Sequence, residues 1–554
     1  AFCLDSWTAN EDVSSLPHDV RTMLNGIDRG GFPLDFLEIY EENKAEWLTQ
    51  FLELFGEVIS PENQGLIKNF ALGPGLVNEI RDAIHKVSLE REDLQSISRE
   101  YREQIKHIED DPSQYQEPEQ EIQNLKQARA IVLQMIKEIE EKYILNFFTD
   151  AGLLPNYAFP ESGVKFRGII TGIEKINQGD KGYLVKEYIR PAAYALRELA
   201  PGNTFYAEER KLPVTHLEAP GDQNEIEQWQ FCDQCSYMEL VQAHHHSTTC
   251  PSCGSEMWSD QGQKKEMMEM HQVASWTDHY MSLVGDDSDD REQKYYEAGQ
   301  FFDINPAYST GGHIIPNLPF GFEYLNQVTL REINFAQSPY MGQQIQIAAK
   351  DYPEQGYKVC KGCGLVLPPD KSPEDVAKDH KRNCIFYNKE AEWENIYLYR
   401  SMTSEALRIL LPVSTVLVSE KLATFEACLE LGLRKKFKGN PDHLRIYPHT
   451  EPTQEGSRRR YLVIYDTVPG GTSFLRDLAN PENLKEVLQL ALQTMTTCVC
   501  RSDPNKRACY RCLYSYRHQR DLELIDRELG IRLLEEILNN WSQMEDIVTL
   551  SDAQ

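Results

Sequence analysis

A multidomain α/β fold is what the sequence predicts, on three observations. The chain is 554 residues long and 41% hydrophobic, enough for about three or four domains with real cores. Residues 80–143 carry two apolar seams at helical spacing, separated by a proline-containing break. Eleven of the 13 cysteines fall in three tight clusters, and such clustering favours metal over disulfides. The expected class is multidomain α/β with a helical hairpin, zinc-ribbon modules and a C-terminal mixed α/β zinc-binding domain.

Residues 1–75 read as a helical segment. Trp47, Phe51, Leu52, Leu54 and Phe55 form an apolar stripe, and Gly73-Pro74-Gly75 ends it. Residues 76–150 read as an antiparallel helical hairpin. Ile80, Ile84, Val87, Leu94, Tyr101, Ile105 and Ile108 recur at spacings of three, four and seven; Asp110-Asp111-Pro112 breaks the run; Ile122, Leu125, Val132, Met135, Ile139 and Tyr143 form the return seam. A packing strut is the expected role and a partner-docking arm the alternative. Residues 151–230 read as a β-rich connector, with strands at 204–206 and 212–215.

Residues 231–300 read as a zinc ribbon with a helical extension. Cys232 and Cys235, fourteen residues, then Cys250 and Cys253 offer two thiolate knuckles of the kind a tetrahedral zinc ion takes. Phe231, Tyr237, Gly254 and Trp258 suit its shell, and His244, His245 and His246 read as solvent-exposed loop residues, because four thiolates already complete the tetrahedron. Residues 301–400 read as a β region with a Cys₃His zinc module: Cys360, Cys363, His380 and Cys384. A helix over 375–381 would put His380 and Cys384 on one face. The competing reading of His380 is a surface residue in a charged helix.

Residues 401–554 read as the zinc-binding domain. A strand at 461–465 stops at Asp466, and Pro469, Gly470 and Gly471 turn the chain. Leu484, Val487, Leu488, Leu490, Ala491 and Met495 mark a helix that delivers Cys498, Cys500, Cys509 and Cys512. All three donor sets are complete, whereas a catalytic zinc keeps a position for water, so three structural zinc sites are expected. Cys3 and Cys428 stand alone and read as ordinary buried thiols.

A strand ending in D-x-x-P-G-G, a helix, then C-x-C and C-x-x-C-L resembles the MrfA-type zinc-binding domain. That domain closes the C-terminal part of many large superfamily 2 (DEAD/DEAH-type) helicases and occurs in the anti-phage systems DISARM and Druantia. Ser404, Glu405, Leu407 and Pro412 belong to the same likeness, which extends upstream through LLPNYAFP (residues 153–160), Arg190-Pro191-Ala192 and Leu199-Ala200-Pro201-Gly202. It spans roughly residues 145–535. The resemblance implies a C-terminal accessory region, with residues 1–75 following a motor core, that braces the motor and binds or guides DNA in bacterial anti-phage defence. It implies a helicase motor domain, in the same or a partner chain, and defence-system subunits as partners.

The residues themselves carry no motor. G-x-x-x-x-G-K-[ST], which cradles nucleotide phosphates, is missing, as are a DEAD/DEAH box and Q-x-x-G-R-x-G-R. ATP and Mg would therefore enter only through a motor domain outside this sequence. H-x-K-x₄-D, H-E-x-x-H and G-x-S-x-G are missing too, so no catalytic residue is assigned and an independent nuclease has little support. Asp286, Asp287, Asp289 and Asp290 read as a solvated loop. A chain beginning AFCLDSW without an initiator Met suggests part of something longer, without a secretory leader. No apolar run reaches membrane-spanning length, so no membrane contact and a cytoplasmic location are expected.

The net charge of −30 argues against a surface generally coated for nucleic acid, yet leaves room for a local basic groove. Three patches interrupt the acidity: Arg434, Lys435, Lys436 and Lys438; Arg458, Arg459 and Arg460; and Arg501, Lys506, Arg507, Arg511, Arg517 and Arg520. The last interleaves with Tyr510, Tyr514 and Tyr516, a pattern that suits phosphate contact and base stacking. Arg511, Arg517, Arg520, Arg507, Lys435 and Lys436 are the expected DNA contacts. Salt bridges on a solvated face are the plain alternative, and with them a zinc-stabilised interaction scaffold that recruits partners without touching DNA.

Overall fold

In the computed structural model, the residues described are 2–8, 16–27, 29–56, 59, 61–115, 117–154, 163–174, 181–218, 226–241, 247–284, 296–305, 308–318, 320–337, 344–411, 418–439, 441–452, 458–468, 470–503, 505–515 and 522–550. The chain divides into two units that alternate along the sequence. One comprises residues 1–226, 268–296 and 355–398, the other residues 227–267, 297–354 and 399–554.

The first unit begins with helices Phe2–Thr8, Val20–Ile27, Leu34–Phe55 and Pro61–Leu72. Trp47 is buried, but Leu54 and Phe55 at the end of the expected stripe are exposed. The hairpin follows as Gly75–Asp110 and Pro118–Glu140. Its first seam is buried throughout, and Leu125, Val132, Met135 and Ile139 answer it from the return helix. Tyr143 falls beyond the helix end and is exposed. Arg91 pairs with Glu140 at 2.8 Å and Lys126 with Glu109 at 3.6 Å, early residues against late ones, which fixes the antiparallel sense.

The hairpin core continues onto a four-stranded sheet ordered Lys181–Pro191, Gly163–Glu174, Gln272–Asp278 and His216–Leu217. The middle pair is parallel and the outer pairs antiparallel. Gln272–Asp278 lies where a helical extension of the ribbon was expected; Val273 and Ala274 are buried there, and the strand is followed by only the four-residue helix His279–Ser282. Arg167 is almost wholly buried between strands. It reaches Glu187 (2.8 Å), Glu90 of the hairpin (3.2 Å) and Glu218 (3.3 Å). Glu218 also takes Lys381 at 3.0 Å and Gln272 at 2.6 Å. A buried cation surrounded by carboxylates satisfies its donors and specifies which strands meet.

In the second unit the strands run Glu545–Ile547, Ser309–Ile315, Phe320–Gln337, Trp393–Leu410 (from Tyr399 onward), Lys264–Glu269, Ile226–Phe231 and Met238–Leu240. Leu444–Pro452 and Arg458–Asp466 extend it, the latter pairing residues 461–465 with 406–410. Alternation decides the faces: Leu407, Ile409, Leu462 and Ile464 bury against helices Val418–Lys436, Pro481–Thr496 and Arg527–Asn539. Ala406, Val463 and Tyr465 take the other face with Phe302. Arg408, fully buried, bridges Glu323 and Glu451.

Candidate metal centres and basic surface

The structure gathers the twelve predicted ligands into three sets, and within each set all the donor atoms lie within 4.8 Å of one another. A zinc tetrahedron with bonds of about 2.3 Å has edges of about 3.8 Å, which is the scale of the separations found in all three.

In the first centre Cys232 Sγ lies 3.4 Å from Cys253 Sγ, and Cys235 Sγ lies 3.7 Å from Cys250 Sγ. The amides of Gln234 and Cys235 point at Cys232 Sγ (3.3 and 3.4 Å), so the knuckle turns its donors toward developing negative charge. Gly254, with φ +73°, closes the second knuckle. Trp258 and Tyr237 cover the cluster. Hydrogen bonds from Cys232 and Cys235 lower the Cys250 thiol, and the same bonds raise Cys235, so the set shares its protons. The carbonyls of Cys232 and Asp233 also accept from Ala348 and Ala349 (2.9 and 2.7 Å). These alanines form the tip of the hairpin Gln344–Ile347/Lys350–Pro353, and both have positive φ. His244, His245 and His246 lie outside the described residues.

In the second centre His380 Nδ1 faces Cys363 Sγ at 3.3 Å and Cys384 Sγ at 3.7 Å, and Cys360 Sγ lies 3.9 Å from Cys384 Sγ. His380 is buried, not the surface residue of the competing reading. The expected helix over 375–381 is absent. Residues 373–379 form turns closed from i to i+3: Asp375 N to Ser372 O, Ala377 N to Glu374 O and Asp379 N to Val376 O. Ser372 and Asp375 hydrogen-bond each other through side chain and backbone, offering the chain an alternative to helical pairing. His380 and Cys384 meet because a turn from Lys381 to Cys384 folds them together.

In the third centre the separations are 3.6 Å (Cys498–Cys509), 3.4 Å (Cys498–Cys500), 3.7 Å (Cys500–Cys512) and 3.7 Å (Cys509–Cys512). Helix Pro481–Thr496 ends just before Cys498. Cys512 is buried and the other three are half-buried. Arg527, buried at the start of the next helix, donates to Cys500 Sγ at 3.0 Å. No spacing in the sequence announced Arg527, because only the fold brings it to the thiols.

The turn after Asp466 is built by carboxylates. Asp466 is buried and accepts from Val468 N (2.9 Å), Thr472 N (2.8 Å) and the Thr472 hydroxyl. Gly471 has φ +77°, and a Cβ there would collide with the Glu405 side chain. Glu405 is buried and takes the Tyr324 hydroxyl at 2.7 Å. Two acidic groups beneath the turn make it a poor phosphate cradle, which leaves the chain-reversal reading of the glycines.

The predicted DNA contacts divide. Arg511 and Lys435 are exposed. Arg507 is exposed but donates to Asp526 at 3.2 Å and to the Glu523 carbonyl. Lys436 is half-buried on Glu486 (2.5 Å) and Asn483 (3.1 Å). Arg517, Arg520 and Tyr516 lie outside the described residues, as do the PNYAFP positions 155–160, Pro412, Pro469 and the loop aspartates. Elsewhere in the three basic patches, Arg501 pairs with Glu528, Lys506 with Asp503, Arg434 with the Cys512 carbonyl and Arg459 with the Leu550 carbonyl. Tyr510 is exposed and meets Tyr514 edge-on at 5.7 Å.

The stretch carrying the third centre decides what this part of the chain is similar to. Residues 425–513 match the MrfA Zn-binding domain. That match takes in most of helix Val418–Lys436, both strands of the hairpin ending at Asp466, and all four thiols of the third centre. The chain is 24% identical over 440 residues to the Druantia protein DruE of Escherichia coli (strain UMEA 4076-1). That alignment covers 71% of this chain and 22% of the relative, so the chain spans about a fifth of that protein's length. A solved structure, the DUF1998 helicase MrfA bound to DNA, aligns over 75% of this chain and 39% of that one, at 10% identity and a TM-score of 0.30. Among the described residues no helix is long and apolar enough to cross a membrane.

Proposed function

We propose that this chain is the non-catalytic accessory region of a superfamily 2 DNA helicase or translocase acting in anti-phage defence, and that it braces the motor and guides DNA across the third zinc centre. The observation that carries the reading is the match of residues 425–513 to the MrfA Zn-binding domain, with Arg511, Lys435 and Tyr510 exposed in that same segment. The likeness to a Druantia protein supports the defence context. ATP hydrolysis would come from a motor segment. Fluorescence titration of single- and double-stranded DNA at several salt concentrations tests the idea. Affinity should fall steeply with salt, and Arg511→Ala with Lys435→Ala should weaken binding and flatten the salt slope by about one to two. Binding unchanged in that double variant would remove this surface from the account.

One observation favours a scaffold instead. Arg501, Lys506, Arg507 and Lys436 are each engaged by a carboxylate, in a chain of net charge −30. A protein that binds no DNA at low salt yet co-purifies with a motor subunit would establish that reading.

A further inference from the structure

His216 stands outside every predicted ligand set, yet the fold carries it to the second centre. It lies in the two-residue strand His216–Leu217, which pairs with residues 273–274. On its other side it bridges Leu365, held by Leu217 N to Gly364 O and Val366 N to Thr215 O, both 2.9 Å. Gly364 has φ +76°, and a Cβ there would strike the Leu217 carbonyl, so the knuckle of the second centre is pressed directly onto this strand. Cys363 precedes Leu365 by two residues, across the left-handed turn at Gly364.

The imidazole is 1% exposed. Thr215 Oγ1 accepts from Trp276 N at 3.1 Å, meets His216 Nδ1 at 2.9 Å and donates to Ala274 O at 3.4 Å, which occupies the Nδ1 side of the ring. Nε2 is buried and has no hydrogen-bond partner within the protein. A buried polar nitrogen without a partner is unfavourable. Cys363 is the member of the second centre with which the buried ring interacts.

We propose that His216 is a positioning residue of the second metal centre, donating Nε2–H to the Cys363 thiolate and fixing it toward zinc. Zinc with three thiolates and a neutral histidine leaves one net negative charge in a buried site. A hydrogen bond to one sulfur spreads that charge and orients its lone pair. The proposal rests on zinc occupying this centre.

The test uses the full chain and zinc itself. Zinc content is measured first for the wild type and for Cys360→Ala/Cys384→Ala; if the double variant loses no zinc, the metal reading of the centre fails and takes the proposal with it. Zinc transfer to a chromophoric chelator and peptide-resolved alkylation of Cys363 are then followed. His216→Phe should release one zinc about 10–100-fold faster, with Cys363 alkylated first. His216→Gln, which restores an N–H donor, should return most of that loss. Wild-type rates in His216→Phe, or equal rates in His216→Gln and His216→Phe, would overturn the assignment. Should His216→Phe fail to fold, imidazole ¹⁵N spectra of the unmodified chain decide: protonated Nε2 with acceptor Nδ1 is expected, and a protonated Nδ1 or metal-bound Nε2 refutes it.

Discussion

Arg167 sets the electrostatics of the first unit from a single buried position. Burial works against both Glu218 and Glu187, but Lys381 and Arg167 at Glu218, and Arg167 and Lys165 at Glu187, outweigh it and hold both carboxyls below the usual range. A carboxyl lowered on folding contributes stability above its unfolded value of about 4.3 and loses it as pH falls through the folded value. Urea unfolding should therefore show the first unit weakening below about pH 4. Arg167→Met leaves the carboxylates facing each other, and should cost about 3–5 kcal/mol at pH 7 and move the acid transition upward. An unshifted acid midpoint would show that the cluster is not what fails. The twelve ligands were legible because each knuckle is local in sequence. His216, Arg527 and the carboxylates around Arg167 were not, since only strand pairing and helix packing between distant segments bring them to their partners.

At the scale of elements, the seams at 80–139 were readable because a helix repeats its apolar face and a hairpin needs two such faces. The stretch 373–379 was misleading: its charged residues suggested a helix, but Pro373, Asp375, Val376 and Asp379 are weak helix formers and the chain bends into successive turns beside the second centre. Nothing in the sequence signalled the Ala348–Ala349 turn, where both residues sit at positive φ, a conformation that costs L-residues roughly 1–2 kcal/mol each. The carbonyls of the first zinc knuckle hold it there. Ala349→Gly should raise thermal stability by about 1 kcal/mol, and a loss would mean the alanine methyl packs more than it strains. Metal analysis should return three zinc ions per chain. Chelation under mild denaturant should open the knuckles, each worth on the order of 10 kcal/mol of local folding, and expose the hairpin tip to proteolysis.

For the whole molecule, the fold class followed from composition and clustering, but the alternation of two units did not. Local composition marks turns and linkers; it carries no record of which strand a later segment will join. The region matching the MrfA Zn-binding domain shows the consequence. Its strand Arg458–Asp466 pairs with residues 406–410, and Phe320–Gln337 lies on the far side of that strand. Arg408 needs Glu323 from Phe320–Gln337. A fragment of residues 399–554 should therefore fail to fold even with zinc, giving collapsed amide dispersion and rapid proteolysis. A well-dispersed spectrum from that fragment would show the helices and the third centre to be sufficient alone.

The same alternation puts a clock on biosynthesis. Residues 227–267 leave the ribosome well before Tyr399, whose strand lies beside Lys264–Glu269 in the finished sheet. At bacterial-type elongation rates that interval is on the order of ten seconds. During it the first zinc knuckle can already close on its metal while its sheet edge stays unpaired, so early metal capture would chaperone the nascent segment until its neighbour arrives.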